Sequence, residues 1–198
     1  MRTRGRTDTM DNESLYEKVR KIRLLMLDVD GVFTNGWLIY DSRGNDLRCF
    51  DSQDGTGILL LKAVGIDTVF ITIRPSKPVT KRADELGFEL YVAMPKEKLL
   101  NEILTKYRVS REEVCYVGDD IADLGIMKQI GLPIAVANAT RVIKDIAGYI
   151  TERQGGSGAV REVADLILEV QGKLEEALNM NISPELLKKR SAKGTIAP

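Results

Sequence analysis

Leu24-Leu25-Met26-Leu27-Asp28-Val29-Asp30-Gly31 is the stretch whose reading decides the fold. Four consecutive apolar residues fit a strand buried on both faces, and two carboxylates then leave its carboxyl end. The chain has no histidine. Acid–base or nucleophilic chemistry near neutral pH therefore falls to carboxylates, lysines or the two cysteines. A pair of aspartates one residue apart at the end of a central strand suits that constraint.

Outward from this stretch, β-rich runs alternate with helical ones. The patterning predicts strands over 22–27, 68–73, 114–117, 133–136 and 149–151, with a weaker one at Glu89–Val92. Helices are expected over 57–64, 79–86, 96–107, 120–130, 141–147 and 158–171. Gly65, Gly87 and Gly131 each follow one of them as left-handed stops. Such alternation implies an α/β fold, a Rossmann-like parallel sheet with helices on both faces. Ligands of such sheets bind outside the carboxyl ends of the strands. One segment breaks the rhythm: between Trp37 and Phe50, two β-like runs flank a turn-rich centre and read as a β-hairpin flap beside the aspartates.

The 198 residues carry a formal net charge of zero. That balance argues against nucleic acid or an anionic membrane as the main partner. No apolar run approaches the roughly 20 residues that span a bilayer, and no secretory leader is evident. Cys49 and Cys115 match no metal or redox spacing, so a cytoplasmic setting is expected. The basic runs Arg2/Arg4/Arg6 and Lys188-Lys189-Arg190 read as solvated tails. Residues 1–15 are expected to form a mobile N-terminal tail, 16–172 the catalytic domain and 173–198 a C-terminal tail, with Ser183-Pro184 a fresh helix start.

Four polar sites follow four strands: Asp28-x-Asp30-Gly31; Thr72; Lys98; and Gly118-Asp119-Asp120 with Asp123. Alone, either acidic motif reads equally as a helix or turn cap. Together they describe phosphoryl transfer. An aspartate carboxylate can attack phosphorus and split one hard step into two. A divalent cation held by Asp28, Asp119 and the backbone carbonyl of Asp30 offsets the repulsion, and all-oxygen ligands favour magnesium. Lys98 and the Thr72 hydroxyl hold the phosphoryl oxygens, and Asp30 moves the proton. A bacterial receiver domain also combines acidic residues, Thr/Ser and Lys on a parallel sheet, but in another order.

This ordered set resembles the haloacid dehalogenase superfamily of magnesium-dependent phosphatases. The stretches 28–36 (DVDGVFTNG), 50–61 (FDSQDGTGILLL), 71–82 (ITIRPSKPVTKR), 116–123 (YVGDDIAD) and 155–162 (GGSGAVRE) are similar, more narrowly, to the 3-deoxy-D-manno-octulosonate 8-phosphate phosphatase family. The resemblance implies a capless fold of this type, with Asp28 as nucleophile, Asp30 as general acid/base, and Thr72 and Lys98 as phosphate ligands. It implies Mg2+ on Asp28, Asp30 and Asp119, supported by Asp120 and Asp123. It further implies a homotetramer in lipopolysaccharide biosynthesis, a sugar phosphate substrate, and Arg161 as a contact for the substrate carboxylate or else a surface helix residue. Ile73 and Arg74 line the same phosphate loop. Where the family commonly reads Ile-Thr-Gly-Arg, this chain has Ile71-Thr72-Ile73-Arg74; a β-branched residue lacks glycine's backbone freedom and narrows the approach to phosphate. The segment 91–97 also departs from the family's polar Gln-Gly pattern and counts one residue longer up to Lys98. The favoured substrate is 3-deoxy-D-manno-octulosonate 8-phosphate. Related nine-carbon keto-sugar acid phosphates, a broad small-molecule phosphatase and a non-catalytic binding or regulatory subunit stay open as alternatives.

Overall fold

A computed structural model of the chain describes the backbone of residues 8–180. Its core is a six-stranded parallel sheet ordered β5-β4-β1-β6-β7-β8. In chain order these strands are β1 (Leu24–Leu27), β4 (Asp67–Thr72), β5 (Glu89–Val92), β6 (Val114–Gly118), β7 (Leu132–Ala135) and β8 (Tyr149–Ile150). All six expected strands are present, each within two residues of its expected ends. The hairpin strands β2 (Ile39–Tyr40) and β3 (Asp46–Leu47) pair antiparallel outside that sheet.

β1 lies in the middle because it can afford to be covered everywhere: all four of its side chains are fully buried. It pairs with β4 on one edge, Leu27 opposite Phe70, and with β6 on the other, Leu27 opposite Val117. From β1 the chain first runs outward through β4 to β5, then crosses back to β6 and runs the other way. The β1/β6 boundary is thus the point where the winding reverses, and the cleft above it is where an open α/β sheet takes its ligand.

Helices α2 (Ser52–Ala63), α3 (Lys77–Leu86), α4 (Leu100–Tyr107), α5 (Leu124–Met127) and α6 (Arg141–Lys144) make the crossovers. Right-handed crossovers put α2 and α3 on one face and the other three on the opposite face. The last long helix, α7 (Ala159–Val170), returns to pack against α2. Gly65 and Gly87 take the expected left-handed conformation, whereas Gly131 does not; a Cβ there would lie 2.6 Å from the Glu112 carbonyl oxygen.

Two boundary expectations need correction. Helix α1 (Asp8–Val19) occupies much of the supposed N-terminal tail. Only Leu15 and Val19 of its described side chains reach the core, one helical turn apart, so its apolar signal is too thin to stand out. At the other end, α8 (Leu174–Asn179) packs on α2 and α7 through the buried Ala177, so 173–180 is part of the same body. The basic runs at both ends and Ser183-Pro184 lie outside the described residues.

Candidate active site

The first carboxylate is presented by a five-residue turn, Val29–Phe33, closed by the Thr34 amide donating to the Val29 carbonyl at 2.9 Å. Gly31 makes the turn possible. Its φ is +101°, and a Cβ there would lie 2.1 Å from Asp119 Oδ2. The loop ending β1 therefore sits directly against the loop ending β6. A second close approach holds it from behind: a Cβ on Gly155 would lie 1.7 Å from the Gly31 carbonyl oxygen, and the Gly156 amide donates to Val32 at 2.9 Å. The GGSGAVRE stretch is thus the floor under the Asp28 loop.

Asp28 is buried and meets a lysine, but the lysine is Lys96. Its Nζ lies 2.5 Å from Asp28 Oδ1, 2.6 Å from Asp123 Oδ1 and 3.3 Å from the Tyr116 hydroxyl, which uses all three ammonium protons. Lys98, expected in this place, is exposed. The correction follows from local geometry. Residues Lys96–Leu99 form a 3-10 turn after Pro95, and two residues in such a turn rotate a side chain by about 240°. A signal was available: Lys96, Leu100 and Ile103 share one helical face and are all buried, whereas Lys98, Glu102 and Thr105 share an exposed one.

Asp123 is saturated. Besides Lys96, its Oδ1 accepts from the Tyr116 hydroxyl at 2.7 Å, and its Oδ2 accepts from the backbone amides of Asp119 and Asp120 at 2.9 and 3.3 Å. It buttresses the lysine and the loop and has no oxygen left over for a cation. Asp120 turns outward and caps the short turn Ile121–Asp123, accepting from the Ile121 amide at 2.7 Å. Here the cap reading holds.

Asp119 is different. Its Oδ1 is buried without a hydrogen-bond partner among the described residues, and its carboxyl is within reach of Asp28. Burial, then the charge of Asp123, pushes Asp119 up to about 7. Asp28 is pushed well above the usual carboxylate range by burial and by Asp123, partly offset by Lys96. Burial pulls Lys96 down, but the charges of Asp28 and Asp123 outweigh that and hold it above its ordinary value, so it stays an ammonium. Two carboxyls this close must share a proton or a cation. An orphaned buried oxygen on Asp119 beside Asp28 is the donor set a small hard cation fits.

Thr72 ends β4, fully buried, its Oγ1 accepting from the Arg74 amide at 3.0 Å. Ile73 follows at the rim, 47% exposed, and its φ is not positive. The backbone there does not need glycine, so the substitution is unstrained and its bulk faces solvent. Arg74 hydrogen-bonds the Tyr40 hydroxyl of the hairpin. Asp30 meets Arg48, also from the hairpin, at 3.1 Å. The turn of that hairpin is held by Asp41, whose carboxylate accepts from the Arg43 and Asn45 amides, both at 2.8 Å.

Arg161 is paired along its own helix. Its Nε donates to both oxygens of Asp165, at 2.8 and 2.9 Å, one turn along α7. This is the helix-residue reading, and the i,i+4 partner was visible in the sequence. Its amide donates to Asp54, a buried carboxylate of α2 that sequence reading missed. Because α7 begins at Gly158, which has no side chain of its own to cap with, Asp54 supplies the acceptor from a distance. Burial raises Asp54 to about 6.

Paired carboxyls and a buried lysine above the reversal point of a parallel sheet define a class, and comparison with known proteins gives the same one. A family model of haloacid dehalogenase-like hydrolases matches residues 93–163. The 3-deoxy-D-manno-octulosonate 8-phosphate phosphatase of Yersinia pestis is 40% identical over 172 residues, covering 86% of this chain and 92% of that protein. The same-named phosphatase of Escherichia coli K12 is 41% identical, covering 83% and 89%. A solved structure of the Moraxella catarrhalis phosphatase of this name, in complex with magnesium, phosphate and KDO, superposes with a TM-score of 0.80 at 37% identity, covering 84% of this chain and 97% of that one. The chain belongs to the 3-deoxy-D-manno-octulosonate 8-phosphate phosphatase family of haloacid dehalogenase-like hydrolases.

Proposed function

We propose that the protein hydrolyses 3-deoxy-D-manno-octulosonate 8-phosphate to the free sugar acid and phosphate, with Mg2+ as cofactor. The observation that carries this reading is the Asp28 carboxyl held between Lys96 and Asp119 at the carboxyl end of the central strand. Asp28, Asp119 and the Asp30 carbonyl hold the cation, which supplies charge neutralisation for an anion approaching a carboxylate. Asp28 attacks phosphorus and forms an aspartyl-phosphate as the sugar alkoxide leaves. Asp30 gives that alkoxide its proton, then takes one from the water that releases phosphate from Asp28. Lys96 and Thr72, with the backbone at Ile73 and Arg74, hold the phosphoryl oxygens.

The hairpin supports a homotetramer. Trp37, Leu38, Ile39, Tyr40 and Leu47 are all exposed there, as are Met94 and Ile121 on other loops. Contiguous exposed apolar side chains of this kind mark association surfaces. No helix among the described residues is long and apolar enough to cross a membrane, which accords with work in the cytoplasm on a precursor of lipopolysaccharide.

The test is phosphate release from a panel of sugar phosphates, with and without Mg2+, beside Asp28→Asn. The expected result is Mg2+-dependent release that prefers the eight-carbon acid phosphate and is lost in the variant. Equal turnover by Asp28→Asn removes the aspartyl-phosphate route. No turnover of any substrate removes the enzymatic reading. Light scattering of the same sample reads the oligomer.

A further inference from the structure

Arg48 is an anomaly in the hairpin. Residues 36–45, 47 and 49 are all exposed, yet the Arg48 side chain is only 1% exposed. A guanidinium cannot be neutralised, so its burial is costly unless it is paired. Its Nη1 lies 2.7 Å from Asp46 Oδ1 and donates to the Trp37 carbonyl at 3.3 Å, tying the two arms of the hairpin together. Its Nε lies 3.1 Å from Asp30 Oδ1, close enough for strong attraction but without a straight N–H···O line, and its Nη2 has no hydrogen-bond partner among the described residues. The hairpin needs such an anchor, because strands of two residues are not stable alone.

We propose that Arg48 is a positioning residue: it orients the Asp30 carboxyl for proton transfer to the leaving alkoxide, so that seating the hairpin and aligning the acid are one event. This rests on the phosphatase reading above, in which Asp30 is the proton carrier. Lys96 and Arg48 then divide the two carboxylates of the DVD motif between them. Lys96 comes from the turn after β5 and serves Asp28; Arg48 comes from the hairpin and serves Asp30. Spare donors on Arg48 allow the loose contact to straighten when substrate fills the site, as catalytic hydrogen bonds commonly do.

The test compares Arg48→Met and Arg48→Lys with the unaltered protein on two probes. One is the best alkyl phosphate of the panel above, whose alkoxide needs a proton to depart. The other is p-nitrophenyl phosphate, whose phenolate does not. kcat/KM is the readout, since it covers binding and the first phosphoryl transfer but not the later release of phosphate from Asp28. Arg48→Met is expected to lower it about 10- to 100-fold on the alkyl phosphate and less than about threefold on p-nitrophenyl phosphate. Arg48→Lys is expected to recover much of the loss. In an Asp30→Asn background, Arg48→Met is expected to cost nothing further, because the group it acts on has gone. Equal loss on both probes, or an undiminished loss in the Asp30→Asn background, overturns the proposal while leaving the phosphatase reading intact. If the unaltered protein turns over neither probe, the phosphatase reading fails and this proposal with it. Melting curves identify any variant that folds poorly; should Arg48→Met do so, Arg48→Gln, which keeps a polar stem and removes the charge, carries the same comparison.

Discussion

Replacing Lys96 with methionine tests the centre of the site. The substitution keeps an unbranched side chain of similar length and removes one charge. It deletes ammonium contacts of 2.5 and 2.6 Å to Asp28 and Asp123, both in the buried interior. Removing one partner of a buried ion pair costs about 3–5 kcal/mol. Two hydrogen bonds to charged groups at about 1.5–3 kcal/mol each give a similar figure. For a domain of this size that is a fall in Tm on the order of 10 °C. Lys98→Met, on the exposed face of the same turn, is expected to stay within about 0.5 kcal/mol. The assay is urea denaturation in EDTA, followed by circular dichroism, with phosphatase rates on the same samples. The expected result is a large loss of both stability and turnover in Lys96→Met and neither in Lys98→Met. The reasoning is refuted if Lys98→Met is the damaging substitution, or if Lys96→Met costs less than about 1 kcal/mol.

Three further outcomes follow from the same geometry. The folded state holds Asp119 up at about 7 against a reference of 3.8, so in metal-free protein the stability it contributes is complete below pH 3.8 and is lost as pH rises towards about 7. Mg2+ is therefore expected to raise the melting temperature more at pH 8 than at pH 5; an equal rise at both would remove Asp119 from the cation site. Gly31→Ala places a Cβ against Asp119 Oδ2 at a backbone angle that alanine resists, and is expected to cost about 1–3 kcal/mol or more and to abolish turnover, read by melting and by phosphate release. Asp54→Ala strips the acceptor from the start of α7 and is expected to cost about 1–3 kcal/mol, whereas Asp54→Asn keeps an acceptor and costs less; equal losses in urea would refute the capping role.

Much of the fold was legible because the strands announce themselves. A run such as Leu24–Leu27 or Val114–Gly118 is buried on both faces and therefore apolar at every position. The carboxylates were legible for a related reason, since ionisable residues stand out directly after such runs. What escaped was decided by rotation and by distant partners. Lys96 and Lys98 are chemically identical in the sequence, and only the 3-10 turn and the buried Leu100 and Ile103 choose between them. Asp54 escaped because the amides it receives are more than a hundred positions away, on a helix that begins with glycine. Arg48 escaped because nothing local says that one residue of an exposed hairpin is buried. Asp120 shows the converse: an acidic residue in the right motif that turns outward and caps a turn.

The floor formed by Gly155 and Gly156 has a consequence for how the protein comes into being. Asp28 is made early in synthesis, at the end of the second element of the chain, yet everything that shapes its surroundings arrives later: Thr72, Lys96, Asp119, and last of all the glycines pressed against Gly31 and Val32. The central strand cannot pair with either neighbour until β4 and then β6 have been made. Such contacts are non-local, and non-local contacts form slowly because the intervening chain must be closed first. A nascent chain emerging amino end first thus carries a bare Asp-Val-Asp loop for most of its synthesis, and that loop takes its working shape only once residues near 156 have emerged. Chains cut short before that point would hold every carboxylate of the motif and no enzyme.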